Sequence, residues 1–206
     1  MFNEIIKIVA SDFIIIPVIM ATVVFFMLKT REQRVKYVAV LIIGAVLALL
    51  FARIGSAIIN DPRPFVANPH THHALISHSR DNGFPSDHTL LSSFLGFAML
   101  PFAPAFGVVG LILALLIGAA RVMANVHHPL DIIGSFAFSA AAVAIAYYSV
   151  KLYFAKNPLK AKVVAHSSAA DAKAHAEVRE KSESEKSEKS SRKPEKAKTP
   201  KTPTKK

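Results

Sequence analysis

The chain has 206 residues, 52% of them hydrophobic, with a mean hydropathy of +0.36 and a formal charge of +11. It contains no cysteine, which excludes both disulfide frameworks and zinc–thiolate centres. The basicity is lopsided: residues 155–206 carry 15 Lys and Arg against 7 Asp and Glu, so the high isoelectric point belongs to a low-complexity tail and argues for no nucleic-acid partner.

A bilayer core about 30 Å thick is crossed by roughly 20 mostly apolar residues in a helix. Five segments approach that length, 5–28, 37–59, 89–103, 106–120 and 130–154. They predict an all-α, polytopic membrane helix bundle of about five transmembrane helices over residues 1–156. Pro17 is placed to kink the first. The second is apolar except for Arg53, and an arginine at membrane depth costs about 2.5–3.5 kcal/mol on insertion scales, which points to a function. The third is short and leaves through Pro101-Phe102-Ala103-Pro104, a turn signal. Lys29, Arg31, Arg34 and Lys36 lie between the first two segments. With five crossings, that loop and the tail share one side, and their positive charge makes it the cytoplasm. Residues 60–88 and 121–128 then meet on the opposite face. A secretory signal peptide fits the N-terminus poorly, since Lys7 is the only early cation and no small-residue cleavage site follows. Residues 157–206, rich in Lys, Ser, Glu and Pro, read as a disordered basic cytoplasmic tail with at most a weak attraction to anionic headgroups.

Chemistry concentrates in three places. In Pro85-Ser86-Asp87-His88, Ser86 is a good N-cap for a helix starting near Thr89, and a helix start offers unpaired N–H groups to an anion. His88 would lie beside that anion as a proton donor. A capped helix with incidental polar residues is the plainer reading. Between Arg121 and Asp131, Pro129 suits the first position of the last helix. Asp131 would then sit in its first turn, four residues beyond His127. A carboxylate on one ring nitrogen leaves the other free as a nucleophile. In Asp61-Pro62-Arg63-Pro64 two prolines stiffen the presentation of Arg63, whose planar fork suits phosphate, although a solvated arginine on a stiff loop fits equally well. His70, His72, His73 and His78 form a histidine-rich loop that is either solvated, metal-binding or, for His78, part of the pocket lining.

Arg63-Pro64, Pro85-Ser86-Asp87-His88 and Arg121-x5-His127-x3-Asp131 together resemble the three-part signature of the type 2 phosphatidic acid phosphatase superfamily. Within it, "DNGFPSDHT" and "ARVMANVHHPLDIIGS" look most like undecaprenyl-diphosphatases of the bacitracin-resistance type. Ala120 replaces a usual serine, Asp87 a usual glycine, and Ser56 stands where a lysine is usual. Arg53, three residues earlier, is the candidate to supply the missing cation. The resemblance implies a hydrolase without metal or cofactor. Arg63, Arg121 and Ser86 would hold the phosphoryl group, with Asp87 and Arg53 grouped beside them. His127, oriented by Asp131, would form a phosphohistidine, and His88 would serve the leaving oxygen and then the water. The implied substrate is undecaprenyl diphosphate, a polyprenyl diphosphate in the bacterial inner membrane, with the site on the outer face. Alternatives are a phosphatase for phosphatidate, phosphatidylglycerophosphate or lipid A phosphate, and a non-enzymatic histidine-rich metal-binding membrane protein. No oligomeric state follows from the sequence.

Overall fold

The computed structural model describes residues 1–157, so the predicted tail lies outside the described residues apart from Asn157. Seven helices are found there and no strand: α1 (Phe2–Ser11), α2 (Ile15–Met27), α3 (Arg31–Ile58), the short α4 (Pro64–Ala67), α5 (Asp87–Met99), α6 (Pro104–Met123) and α7 (Pro129–Lys156). Three of them, α3, α6 and α7, are long and apolar enough to cross a membrane, and α1 with α2 make a fourth if the bent pair is one span. Large apolar side chains such as Val46, Leu49, Ile112, Leu115, Ile133 and Leu152 are exposed along these helices, as lipid-facing surfaces require. The protein is a multi-pass membrane protein.

Local chemistry explains where the helices break. Pro17 has no N–H and its ring opposes the carbonyl of Phe13, so the helix is interrupted one turn earlier. There Ile15 and Ile16 bond to Asp12 and Phe13 in tightened turns, and α1 and α2 diverge by 43°. α3 starts ahead of its apolar stretch because Thr30 and Gln33 form a reciprocal cap, Thr30 Oγ1 accepting from the Gln33 N–H and Gln33 Oε1 from the Thr30 N–H.

The expected third span differs in kind from its neighbours. α5 has 13 residues, about 20 Å of rise, too short to cross a bilayer core alone. Nine of those residues are buried, so α5 runs inside the bundle instead of facing lipid. Its contact with α6 is backbone-close: a Cβ on Gly96 would lie 2.9 Å from the Leu111 nitrogen, and one on Gly110 3.1 Å from the Gly96 Cα. Towards α7 the contact is a line of hydroxyls, with Ser93 Oγ donating to Ser139 Oγ and Ser139 Oγ to the Leu90 carbonyl. At the α5–α6 turn Phe102 meets Tyr37 and Tyr147 with ring centroids 5.1 and 6.4 Å apart. Helix direction then places the C-terminal ends of α3 and α6 and the starts of α5 and α7 together at the other end of the bundle. The predicted chemistry lies there.

Candidate active site

The segment that presents Arg63 is shaped by its prolines and by one asparagine. Pro64 is the first residue of α4, which makes Arg63 the N-cap. Asn82, from the return path of the 68–86 loop, binds the incoming chain. Its Oδ1 accepts from the Asp61 and Phe84 N–H groups, and its Nδ2 donates to the Ser56 and Ile59 carbonyls and to Ser56 Oγ. An isolated bridge between Pro62 and Asn82 completes the clamp.

His127 is presented by a helix stop and a helix start. α6 ends at Met123, and Asn125 takes a positive φ of 58°, a conformation in which asparagine often closes helices. The chain turns there and re-enters a helix at Pro129. Asp131, in the first turn of α7, accepts from the His128 N–H at 2.9 Å through Oδ2, an acidic cap on a helix start. The same oxygen lies 3.1 Å from His127 Nδ1. One carboxylate therefore caps the helix and aims the imidazole.

Around His127 the charges converge. Arg63 Nη1 donates to the Val126 carbonyl at 2.9 Å and lies 3.1 Å from His127 Nε2. Arg121 Nη2 lies 3.4 Å from the same nitrogen, while its Nη1 donates to the Ala10 carbonyl of α1. Arg63, Arg121, His127 and Asp131 are only 3%, 2%, 2% and 0% exposed, so each charge must be met by protein or ligand and not by bulk water. Because Asp131 only accepts, His127 carries its proton on Nδ1, and the Nε2 lone pair faces two guanidiniums. Burial, and after it the two arginines, hold the His127 pKa below the ordinary histidine value against the pull of Asp131. Arg121 Nε is buried with no partner, a free donor beside the cluster.

At the start of α5, Ser86 occupies the N-cap position but does not cap with its side chain. Its Oγ instead accepts from Thr89 Oγ1, so no hydroxyl shields the first-turn N–H groups from an anion. Ser135 Oγ donates to the Ser86 and Asp131 carbonyls, fixing the starts of α5 and α7 to each other. His88 is half-buried and close enough to Arg121, His127 and Asp87 to feel their charge. Asp87 itself is exposed.

The structure thus gathers Arg63, Ser86, His88, Arg121, His127 and Asp131 at one end of the bundle, with Asp87 on its rim. Arg53, proposed to supply the missing cation, is exposed on α3. The buried stripe of α3 runs through Gly44, Ala48, Ala52 and Gly55, and Arg53, one step round from Ala52, falls among exposed Leu49, Leu50 and Ile54. Ser56, where a lysine is usual, bonds to Asn82.

Five further residues also lie here. Asp81 Oδ1 accepts from Arg63 Nε and Nη2 at 3.1 and 3.0 Å, and Ser79 Oγ donates to the same oxygen. Ser79, ahead of Arg63, holds the Asp81 carboxyl below the ordinary aspartate value. The His78 ring packs edge-on against His127 with centroids 5.8 Å apart. Burial, then Arg63, Arg121 and His127, push it down to about 4, so it is neutral at physiological pH. Asp61, His128 and Asp131 bring potential ligand atoms within 4.8 Å of one another, the one such trio among the described residues; His70, His72 and His73 take no part in it. Proximity of this kind is invisible in sequence because it depends on how the 68–86 loop returns to α3.

Chemically, an imidazole with a fixed tautomer faces two buried cations, a free arginine N–H and an uncapped helix start, which is an arrangement suited to phosphoryl transfer. The PAP2 superfamily profile matches residues 37–154. Among curated proteins, the chain is 34% identical over 110 residues to the bacitracin transport permease protein BcrC of Bacillus licheniformis, covering 53% of either chain. It is 44% identical over 75 residues to the undecaprenyl-diphosphatase BcrC of Bacillus subtilis, covering 36% of this chain and 38% of that one. The chain thus spans about half or less of these relatives. Among solved structures, a transmembrane PAP2-type phosphatidylglycerolphosphate phosphatase from Bacillus subtilis aligns with a TM-score of 0.50 at 21% identity, over 77% of this chain and 79% of that one.

Proposed function

Because the chain belongs to the PAP2 superfamily, we propose that it is a membrane phosphatase that hydrolyses undecaprenyl diphosphate to undecaprenyl phosphate and inorganic phosphate, returning the lipid carrier to cell-wall synthesis. The observation that carries this reading is the buried His127, its Nε2 lone pair fixed by Asp131 and faced by Arg63 and Arg121.

In the first half-reaction the terminal phosphoryl group lies between Arg63, Arg121 and the first turn of α5, and His127 Nε2 attacks its phosphorus. The P–N bond forms as the bridging P–O bond breaks, and the leaving group is a lipid monophosphate. A phosphate whose second pKa is near 6 needs little help to leave, so His88 has only to offer a proton or a hydrogen bond. In the second half-reaction water attacks the phosphohistidine, His88 takes its proton, and phosphate departs with His127 restored. Fixed guanidiniums and N–H groups lower the barrier because negative charge spreads over the equatorial oxygens. No step requires a metal.

The positive loop between α2 and α3 favours the cytoplasm for its end of the bundle, which supports a site at the outer face of the inner membrane. A long prenyl tail then stays in lipid while its diphosphate reaches the interface. The B. licheniformis relative is named for transport. Here the buried charges gather at one end of the bundle, which supports hydrolysis at an interface over passage through the membrane. The test is phosphate release by the purified protein, in chelator, from undecaprenyl diphosphate beside phosphatidate and phosphatidylglycerophosphate. Fastest turnover of the diphosphate is expected, and preference for a monophosphate would reassign the substrate.

A further inference from the structure

Behind His127, on the side away from the arginines, a second carboxylate approaches the first. Asp61 and Asp131 bring oxygens within 4.8 Å of each other and of His128 Nδ1. Asp131 Oδ2 is fully used by His127 Nδ1 and the His128 N–H, but Oδ1 is buried with no hydrogen-bond partner. His128 Nδ1 lies 3.0 Å from Asp61 Oδ1, yet without the alignment of a hydrogen bond. The Asp61 backbone is held on both sides: its N–H donates to Asn82 Oδ1 and its carbonyl accepts from the Gly83 N–H. A Cβ on residue 83 would lie 3.1 Å from both Asp131 Oδ2 and the Asp61 carbonyl, so the glycine is what lets the two segments close.

A buried carboxylate oxygen beside a like charge is costly, and a shared proton relieves both problems at once. We propose that Asp61 is a positioning residue for the nucleophile: its carboxyl carries a proton, donated to Asp131 Oδ1, that locks the Asp131 plane and so the His127 ring. The electrostatics lean the same way. Burial, then the charge of Asp131, push the Asp61 pKa above the ordinary aspartate value, with His128 opposing. Asp131 from α7 and His128 from the turn before it are the titratable groups that face Asp61, while Arg63, two residues along, turns to Asp81 and His127.

The proposal rests on the phosphatase reading, and two arms keep the two apart. In the first, phosphate release from undecaprenyl diphosphate is measured for wild type, Asp61→Asn and Asp61→Ala, with and without chelator. The Asn amide can still donate to Asp131, so Asp61→Asn should stay within about 3-fold of wild type, while Asp61→Ala loses about 10- to 100-fold in kcat with KM little changed. Asn as damaging as Ala would overturn the proposal in favour of an ionised Asp61 paired with His128. Ala as active as wild type would remove any role, and loss in chelator restored by a divalent cation would put an ion between the carboxylates. In the second arm, isotope-edited infrared spectra of wild type and Asp61→Asn should show a protonated-carboxyl band in the first alone. Its absence from wild type would sink the idea whether or not any lipid is turned over.

Discussion

The two ends of the helix bundle handle charge in opposite ways. At the α5–α6 turn end, Lys36 pairs with Glu32 at 2.6 Å and lies over the Phe154 ring, both partners of the ion pair staying about a third exposed. A cavity of about 300 Å³ lined by Gln33, Lys36, Phe102, Tyr147 and Lys151 opens there, and water and headgroups can solvate every charge. At the other end Arg63, Arg121, His127 and Asp131 are all buried, and each is oriented by a backbone carbonyl, a helix start or a second side chain. Solvated charges set orientation in a membrane, whereas buried and prepositioned ones act on a bound anion without reorganising first.

Substitutions at the two ends should therefore differ by orders of magnitude. His127→Ala removes the proposed nucleophile and is expected to cost roughly 10⁴-fold or more in phosphate release; retention of most activity would end the phosphohistidine mechanism. Arg121→Ala should cost about 10²- to 10³-fold, chiefly in kcat, since its charge counts most as charge develops on phosphorus. Asp81→Asn leaves Arg63 in place but loosens its fork, so a loss of about 10-fold is expected, and wild-type kinetics would show that the Val126 carbonyl alone suffices. The pH profile gives a finer test. The nucleophile must be neutral and its pKa is depressed, so the acidic limb of kcat/KM assigned to His127 should fall below the ordinary value of 6.5. A limb above 6.5 would mean that Asp131 outweighs burial and the arginines. Lys36→Gln, at the solvated end, should leave turnover unchanged and stability within about 0.5 kcal/mol in a thermal melt.

Much of this contrast was legible before any coordinates. Prolines and helix ends mark Arg63, Ser86, His88, Arg121, His127 and Asp131, although Arg63 and Arg121 are held by distant partners, Asp81 and the Val126 and Ala10 carbonyls. Hydropathy found the apolar segments, but length alone concealed that α5 is a core helix, because burial depends on its neighbours. Arg53 shows a related limit: proximity to Ser56 along the chain does not give its phase, which is one step round from the buried stripe through Gly44, Ala48, Ala52 and Gly55. Asp61, Asp81 and Asn82 had no readable role and His78 only that of a candidate pocket lining, since each acts near the bridge between Pro62 and Asn82, a contact 20 residues apart in sequence. Ser86 fits the N-cap position by type, yet Thr89 diverts its hydroxyl.

The carbonyl of Ala10 on Arg121 carries a practical lesson for anyone handling this protein. The first helix is part of the wall around the arginine, with Ile6 and Ala10 packed among Ala120, Ala124 and Val126. An affinity tag or reporter fused ahead of Phe2 would pull on the guanidinium that faces His127.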